Sequence, residues 1–290
     1  MFEFKDIKKT FKVDFWDPTF TVLNSLSFKV EEGTMCGFLG VNGAGKTTSL
    51  KILLGFIKPD AGIVEFSSKL GLSKSEIFSR IGFMPERPYF YPDLTGREFL
   101  KYMGSLSKLN SRLCNENISR WTKELSIDFA LNRKIKTYSK GMLQRLGFAV
   151  TLLHDPQLII LDEPMSGLDP VGRKEFKDIF KKLNQQGKTV FFSSHIVNDI
   201  EEICDHAVVI DKGDLFYSGK LNDLLEKNAT DQYEICYFDK KTEKNNMEIL
   251  TGYNQAVSFV EAFLKNDNSL TSFVRKTMSL EEIIYKVRND

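Results

Sequence analysis

One run of eight residues, Gly40-Val41-Asn42-Gly43-Ala44-Gly45-Lys46-Thr47, constrains this chain more than any other feature. It fits the pattern GxxxxGK followed by Ser or Thr, which average residue usage produces by chance in roughly one chain in a hundred of this size. An apolar run over 35–39 precedes it and a helical pattern over 48–55 follows, the setting a phosphate-cradling loop requires. Its glycines let the backbone curl so that successive N–H groups point inward. The helix N-terminus adds partial positive charge. Gly40, Asn42, Gly43, Ala44, Gly45, Lys46, Thr47 and the adjoining Thr48 are the expected nucleotide contacts. Lys46 is placed on the β- and γ-phosphates and the Thr47 hydroxyl on Mg²⁺.

A second feature lies 115 residues on. Leu158-Ile159-Ile160-Leu161 has the composition of a buried parallel strand and ends in Asp162-Glu163. Two carboxylates directly after four aliphatic residues are costly unless their charge is compensated, and Mg²⁺ on a triphosphate compensates it. Asp162 fits the metal-facing role, directly or through water. Glu163 fits a general base toward the attacking water.

Around these features, short β-type runs (2–7, 25–30, 34–39, 63–66, 81–84, 158–161, 189–193 and 207–210) alternate with helical patterns, which argues for an α/β domain. Between about 96 and 153 helical segments such as 97–107 and 117–125 replace the strands, as in a helical insertion. Residues 211–214 read as a hairpin turn, so a domain of 1–220 ends near Gly219. A small α/β appendage fills 221–290, with strands over 232–238, 247–250 and 270–275. Its helix over 255–265 places Val257, Val260, Phe263 and Leu264 on one side, and a Ser279/Glu282 capping box opens the last helix. The 290 residues accommodate one large domain and such an appendage.

Charge and cysteines exclude several classes. Forty basic and thirty-nine acidic residues leave a net charge of +1, which gives no general attraction to nucleic acid or anionic lipid. The longest stretch without Asp, Glu, Lys or Arg, 33–45, is too short and glycine-rich to cross a bilayer. Acidic Glu3 and Asp6 stand where a secretory signal has its apolar core. Cys36, Cys114, Cys204 and Cys236 are far apart, with no metal-ligand spacing, and read as reduced, buried thiols. The chain reads as cytosolic.

Over about residues 2–219 the order of motifs resembles the ATP-binding subunit of ABC transporters. Tyr138-Ser139-Lys140-Gly141-Met142 is similar to the family signature LSGGQ, Ser166-Gly167-Leu168-Asp169 to the D-loop, and His195 to the switch histidine. The resemblance implies a P-loop NTPase of the ABC type, with a mostly parallel core sheet, an antiparallel β subdomain and the helical insertion. It implies ATP and Mg²⁺ as cofactors, with His195 contacting the γ-phosphate. Ser139, Lys140, Gly141 and Met142 would reach the nucleotide of an opposite subunit in a head-to-tail dimer, of two identical copies or with a paralogue. Ser139 also suits a helix N-cap, and Asp169-Pro170 suits the N-cap and first turn of the next helix.

Three places depart from the family pattern or stay open. The Q-loop glutamine is replaced by Glu86, which can ligate Mg²⁺ or orient water but adds negative charge near the phosphates. Lys140 and Met142 replace glycine and glutamine in the signature. Phe11 stands where the family stacks an aromatic on adenine, with Phe15, Trp16 and Phe20 as competitors and core packing as the alternative.

The resemblance also implies a separate polytopic membrane subunit, with this chain on the inner face of the cell membrane. Pro88-Tyr89-Phe90-Tyr91-Pro92 stands where the family meets that subunit, local packing being the alternative. The tail and the signature are similar to drug-, lipid- or polysaccharide-type exporters, which favours export. A soluble ABC ATPase acting on ribosomes or DNA is the rival reading. It is weakened by a single motif set and by the lack of long coiled coils or zinc cysteines. A nucleotide-gated binding module with negligible turnover is another, opposed by Glu163 and His195.

Overall fold

The computed structural model describes residues 1–12, 16, 18–239, 244–265 and 269–289. They form two compact units, Met1–Gly219 and Lys220–Asp290. Among the described residues no helix is long and apolar enough to cross a membrane.

The first unit opens with strands β1 (Phe2–Phe11) and β2 (Phe20–Val30), followed by β3 (Met35–Leu39), helix α1 (Lys46–Leu53) and β4 (Ala61–Phe66). β1 lies between β2 and β4 and runs antiparallel to both. Both long strands extend beyond their expected limits. Asp6 and Ser25 adopt left-handed backbone (φ 52° and 55°) where the register shifts, and such bulges carry a strand past the point where apolar–polar alternation fails. Phe2, Phe4 and Phe28 are buried on its inner face. The rings of Phe2 and Phe28 meet Phe191 and Phe38 of a second sheet, Phe2–Phe191 at 5.2 Å and Phe28–Phe38 at 5.8 Å.

That second sheet is the centre of the unit. After α2 (Lys74–Ser79) come β5 (Ile81–Met84), three helices, and then β6 (Leu158–Leu161), β7 (Thr189–Ser194), β8 (His206–Asp211) and β9 (Asp214–Lys220), arranged β5-β6-β7-β3-β8-β9. The pairings from β5 to β8 are all parallel. β9 returns through Lys212-Gly213, both at positive φ (46° and 86°), as a two-residue hairpin turn needs. Every residue of β6 and β7 is buried, which is why both are continuous apolar or small-residue runs. Helices α6 (Pro170–Gln185) and α7 (Val197–Ile203) bracket β7 in sequence.

Within 96–153 the chain forms α3 (Gly96–Leu106), α4 (Ser111–Glu124) and α5 (Lys140–Leu152). Thr95 and Glu98 make a capping box for α3, and Asn110 caps α4. Phe99, Leu100, Ile118, Trp121 and Leu146 form the interior of this segment. At Gly104 a Cβ would stand 2.4 Å from Cys114 Sγ, so the close approach of α3 and α4 there excludes any side chain.

The second unit contains α8 (Leu221–Lys227), β10 (Ala229–Asp239), β11 (Lys244–Thr251), α9 (Tyr253–Leu264), β12 (Ser269–Thr277) and α10 (Leu280–Asn289). β10 is central and antiparallel to both neighbours. Its core is Tyr233, Ile235 and Ala256, with Phe259, Val260 and Phe273 packed against it. The expected face of α9 is therefore shifted: Ala256, Phe259 and Val260 pack inward, Leu264 is exposed, and the Phe263 side chain lies outside the described residues. Ser279 and Glu282 form the expected capping hydrogen bonds. All four cysteines are free thiols, but only Cys36 and Cys114 are buried; Cys204 and Cys236 are partly exposed.

Candidate nucleotide site

The glycine-rich loop leaves the end of β3 and enters α1. Gly43 and Gly45 have φ of 84° and 106°, and a Cβ on Gly45 would stand 2.7 Å from Leu23 Cδ2. The conformation and the close approach both require glycine there. Lys46 is buried and donates from Nζ to Gly40 O at 2.6 Å, with Glu163 Oε1 at 3.5 Å. Its ammonium is thus folded back over the loop it serves.

Parallel strands deliver the carboxylates to the same end of the sheet. The Thr47 hydroxyl donates to Asp162 Oδ2 at 3.0 Å, and Ser193 Oγ donates to Asp162 Oδ1 at 2.7 Å. Glu163 N donates to the same Ser193 oxygen at 2.9 Å. Glu163 itself has φ 48°, a left-handed conformation costing about 1–2 kcal/mol in a residue with a Cβ. Its Oε2 accepts from His195 Nδ1 at 2.8 Å, while Oε1 is buried with no hydrogen-bond partner. With Nδ1 carrying the hydrogen, His195 presents Nε2 outward from a half-exposed ring.

Of these groups Lys46, Thr47 and Glu163 line a cleft of about 420 Å³, together with Val41, Asn42, Gly43, Gly45, Thr48, Glu86 and two residues of β2, Phe20 and Val22. Most of the loop residues expected from the sequence therefore face one cavity, and Glu86 joins them from its rim. The nearest cation to Glu86 is Arg87, with Nε 3.7 Å from Oε1. Phe11 does not line the cleft. It pairs with Phe20 across the β1–β2 register, ring centroids 6.1 Å apart, and Lys9 Nζ stands 5.3 Å from its ring centre. The extra strand length carries Phe20 to the cleft in its place. Phe15 lies outside the described residues, and Trp16 is not among the lining residues.

The signature and D-loop do not line this cleft; they meet each other instead. Ser139 caps α5, its Oγ accepting from Met142 N at 3.3 Å. Buried Gln144 donates to Pro164 O at 2.8 Å, and the Lys140 side chain crosses Gly167, where a Cβ would stand 2.3 Å from Nζ. Asp169 caps α6 by accepting from Gly172 N at 2.8 Å. In the segment after Glu86, Phe90 is buried against Phe99 at 5.3 Å, whereas Tyr89 is 82% exposed and Tyr91 46%. Local packing thus accounts for Phe90 and leaves two tyrosines on the surface.

Sequence reasoning missed Ser193, which holds the Asp162 carboxylate and the Glu163 backbone N–H, and Gln144, which ties the signature helix to the chain after Glu163. Both are single polar residues whose partners are distant or in another motif, and no local pattern marks them.

Comparison with known proteins identifies the family. Residues 23–166 match the family model described as ABC transporter. The ABC transporter ATP-binding protein YxlF of Bacillus subtilis is 34% identical over 281 residues, 91% of this chain and 94% of that protein. The ABC transporter ATP-binding protein sll0415 of Synechocystis is 41% identical, over 79% of this chain and 65% of its own length. The bacitracin transport ATP-binding protein BcrA of Bacillus licheniformis is 38% identical, over 71% and 67%. Among solved structures, an ATP-binding subunit of an ABC transporter superposes with a TM-score of 0.69 and 26% identity, covering 78% of this chain and 92% of that one. The chain belongs to the ABC transporter family, as one of its ATP-binding, ATP-hydrolysing proteins.

Proposed function

We propose that this chain powers export through a separate polytopic membrane subunit, pairing head to tail with an identical copy or a paralogue on the cytoplasmic face of the membrane. The observation that carries this reading is the convergence of Lys46, Thr47 and Glu163 on one cleft, with Asp162 hydrogen-bonded to Thr47 and His195 to Glu163. Residues 1–220 are the ATP-binding domain and 221–290 an accessory domain. The resemblance of the tail and signature to exporters, and the similarity to a bacitracin transport protein, support export. No nucleic-acid partner is proposed.

In this reading the loop amides and Lys46 hold the phosphates, and Phe20 offers the exposed ring for adenine. The Thr47 hydroxyl and Asp162 carboxylate are a hard oxygen pair 3.0 Å apart, a donor set that fits Mg²⁺. Mg²⁺ would supply neutralisation of phosphate charge there. Glu163 accepts a proton from the attacking water, and His195 holds the carboxylate in place and turns its half-exposed ring toward the γ-phosphate. Ser139 to Met142 and Asp169 serve the nucleotide of the opposite copy. Tyr89 and Tyr91 are the surface offered to the membrane subunit.

A phosphate-release assay paired with sizing tests the reading. Wild-type chain hydrolyses Mg·ATP, whereas Glu163→Gln loses about 10²–10⁴-fold in turnover, the range a general base contributes, and still forms an ATP-held dimer. Unchanged turnover in Glu163→Gln removes the assigned base.

A further inference from the structure

We propose that Lys140 is the counter-charge to Glu86: in a head-to-tail pair, the ammonium of one copy offsets the carboxylate at the other's nucleotide cleft and sets how tightly ATP closes the pair. The inference rests on the head-to-tail reading above.

Charge at the cleft motivates it. Glu86 and Glu163 line the cavity and Asp162 stands behind Thr47, while Lys46 is the single lining cation. Three carboxylates thus face one ammonium, which is itself engaged by Gly40 O and Glu163. A nucleotide entering with Mg²⁺ brings compensation for its phosphates, and the carboxylate of Glu86 remains one added negative charge on the cleft. Arg87 is a weak counter-charge, because its side chain is 92% exposed and solvent screens such a pair.

Lys140 is suited to supply that charge. Among the described residues its ammonium has no carboxylate partner. Its stem lies across the D-loop glycine, with Nζ and Cε 2.3 and 2.4 Å from where a Gly167 Cβ would stand. The ammonium of this exposed side chain therefore lies beside the D-loop glycine, where the signature and the D-loop meet. Glu86 adds one negative charge and Lys140 one positive charge relative to the neutral residues of the family pattern. The two changes cancel only if both act on the same nucleotide.

A double-mutant cycle tests the coupling. The dissociation constant of the ATP-held dimer is measured by sedimentation in the Glu163→Gln background, with Glu86→Gln, Lys140→Gln and both. Lys140→Gln is expected to weaken the dimer roughly tenfold when Glu86 is present and less than about threefold when Gln stands at 86, the non-additivity of interacting sites. Raising salt should shrink the difference. Equal losses in both backgrounds would mean that Lys140 only braces Gly167, and would overturn the proposal while leaving the dimer reading intact. Absence of any ATP-held dimer in the parent would overturn the head-to-tail reading and this inference with it.

Discussion

Ser193 Oγ donates to Asp162 Oδ1 at 2.7 Å and at the same time accepts from Glu163 N at 2.9 Å. One hydroxyl on β7 therefore fixes both acidic residues at the end of β6. Adjacent parallel strands make this possible, since Leu161 pairs with Phe192 and the next residues of each chain leave the sheet side by side. Asp162 is thereby aimed at Thr47, and Glu163 is held in its left-handed turn with its carboxylate between Lys46 and His195.

Removing that hydroxyl should loosen both groups. Ser193→Ala leaves a buried Asp162 oxygen without its donor, and hydrogen bonds to charged groups contribute about 1.5–3 kcal/mol. The expected outcome is a higher Mg²⁺ concentration for half-maximal ATP hydrolysis and a turnover reduced by roughly tenfold. Ser193→Thr, which keeps the hydroxyl, should recover most of the loss. A Mg²⁺ titration identical to wild type in Ser193→Ala would show that Asp162 needs no such support.

The two N-terminal aromatics separate by position. Phe20 lines the cleft and Phe11 does not. Base–aromatic stacking contributes about 1–3 kcal/mol, so Phe20→Ala should weaken ATP binding by that amount, measured by calorimetry. Phe11→Ala should leave affinity within about threefold, since its ring packs on Phe20 without facing the nucleotide. Reversed effects would return the adenine platform to Phe11.

Strand ends and motif order were the legible part of this chain, and side-chain reach was the illegible part. The glycine loop, the acidic strand end and His195 announce themselves because each is a local pattern, and the short apolar runs 158–161 and 81–84 match β6 and β5 residue for residue. β1 and β2 run longer than read, because Lys8-Lys9-Thr10 and the bulge at Ser25 break the alternation that marks a strand. α2 and α7 escaped notice at six and seven residues, too short for a helical period to repeat. Phe20 was one of four candidates, since choosing among them needs the register of β1 against β2. The network of Arg173, Lys177, Asp199 and Glu202 between α6 and α7 was also unread, because its members lie on separate helices whose packing no local motif encodes.

Stability should depend on pH through His154. Its Nε2 donates to Ile81 O at 3.0 Å, and burial, partly opposed by that hydrogen bond, holds its pKa below the ordinary histidine value. Between the lowered folded value and the unfolded value near 6.5, the unfolded chain binds more protons, so stability rises with pH. The contribution is complete above about pH 6.5 and is lost as pH falls toward the folded value. Thermal unfolding from pH 8 to pH 5 should therefore show a loss that His154→Gln flattens. An identical slope in the variant would assign the pH dependence elsewhere.

The claim that this ATPase drives a transporter is tested most directly by recovering the full chain from gently solubilised membranes of its own cell and identifying what co-purifies. The account predicts a polytopic membrane protein in stoichiometric amount. Recovery from the soluble fraction alone, with ribosomes, DNA or no partner, would contradict it.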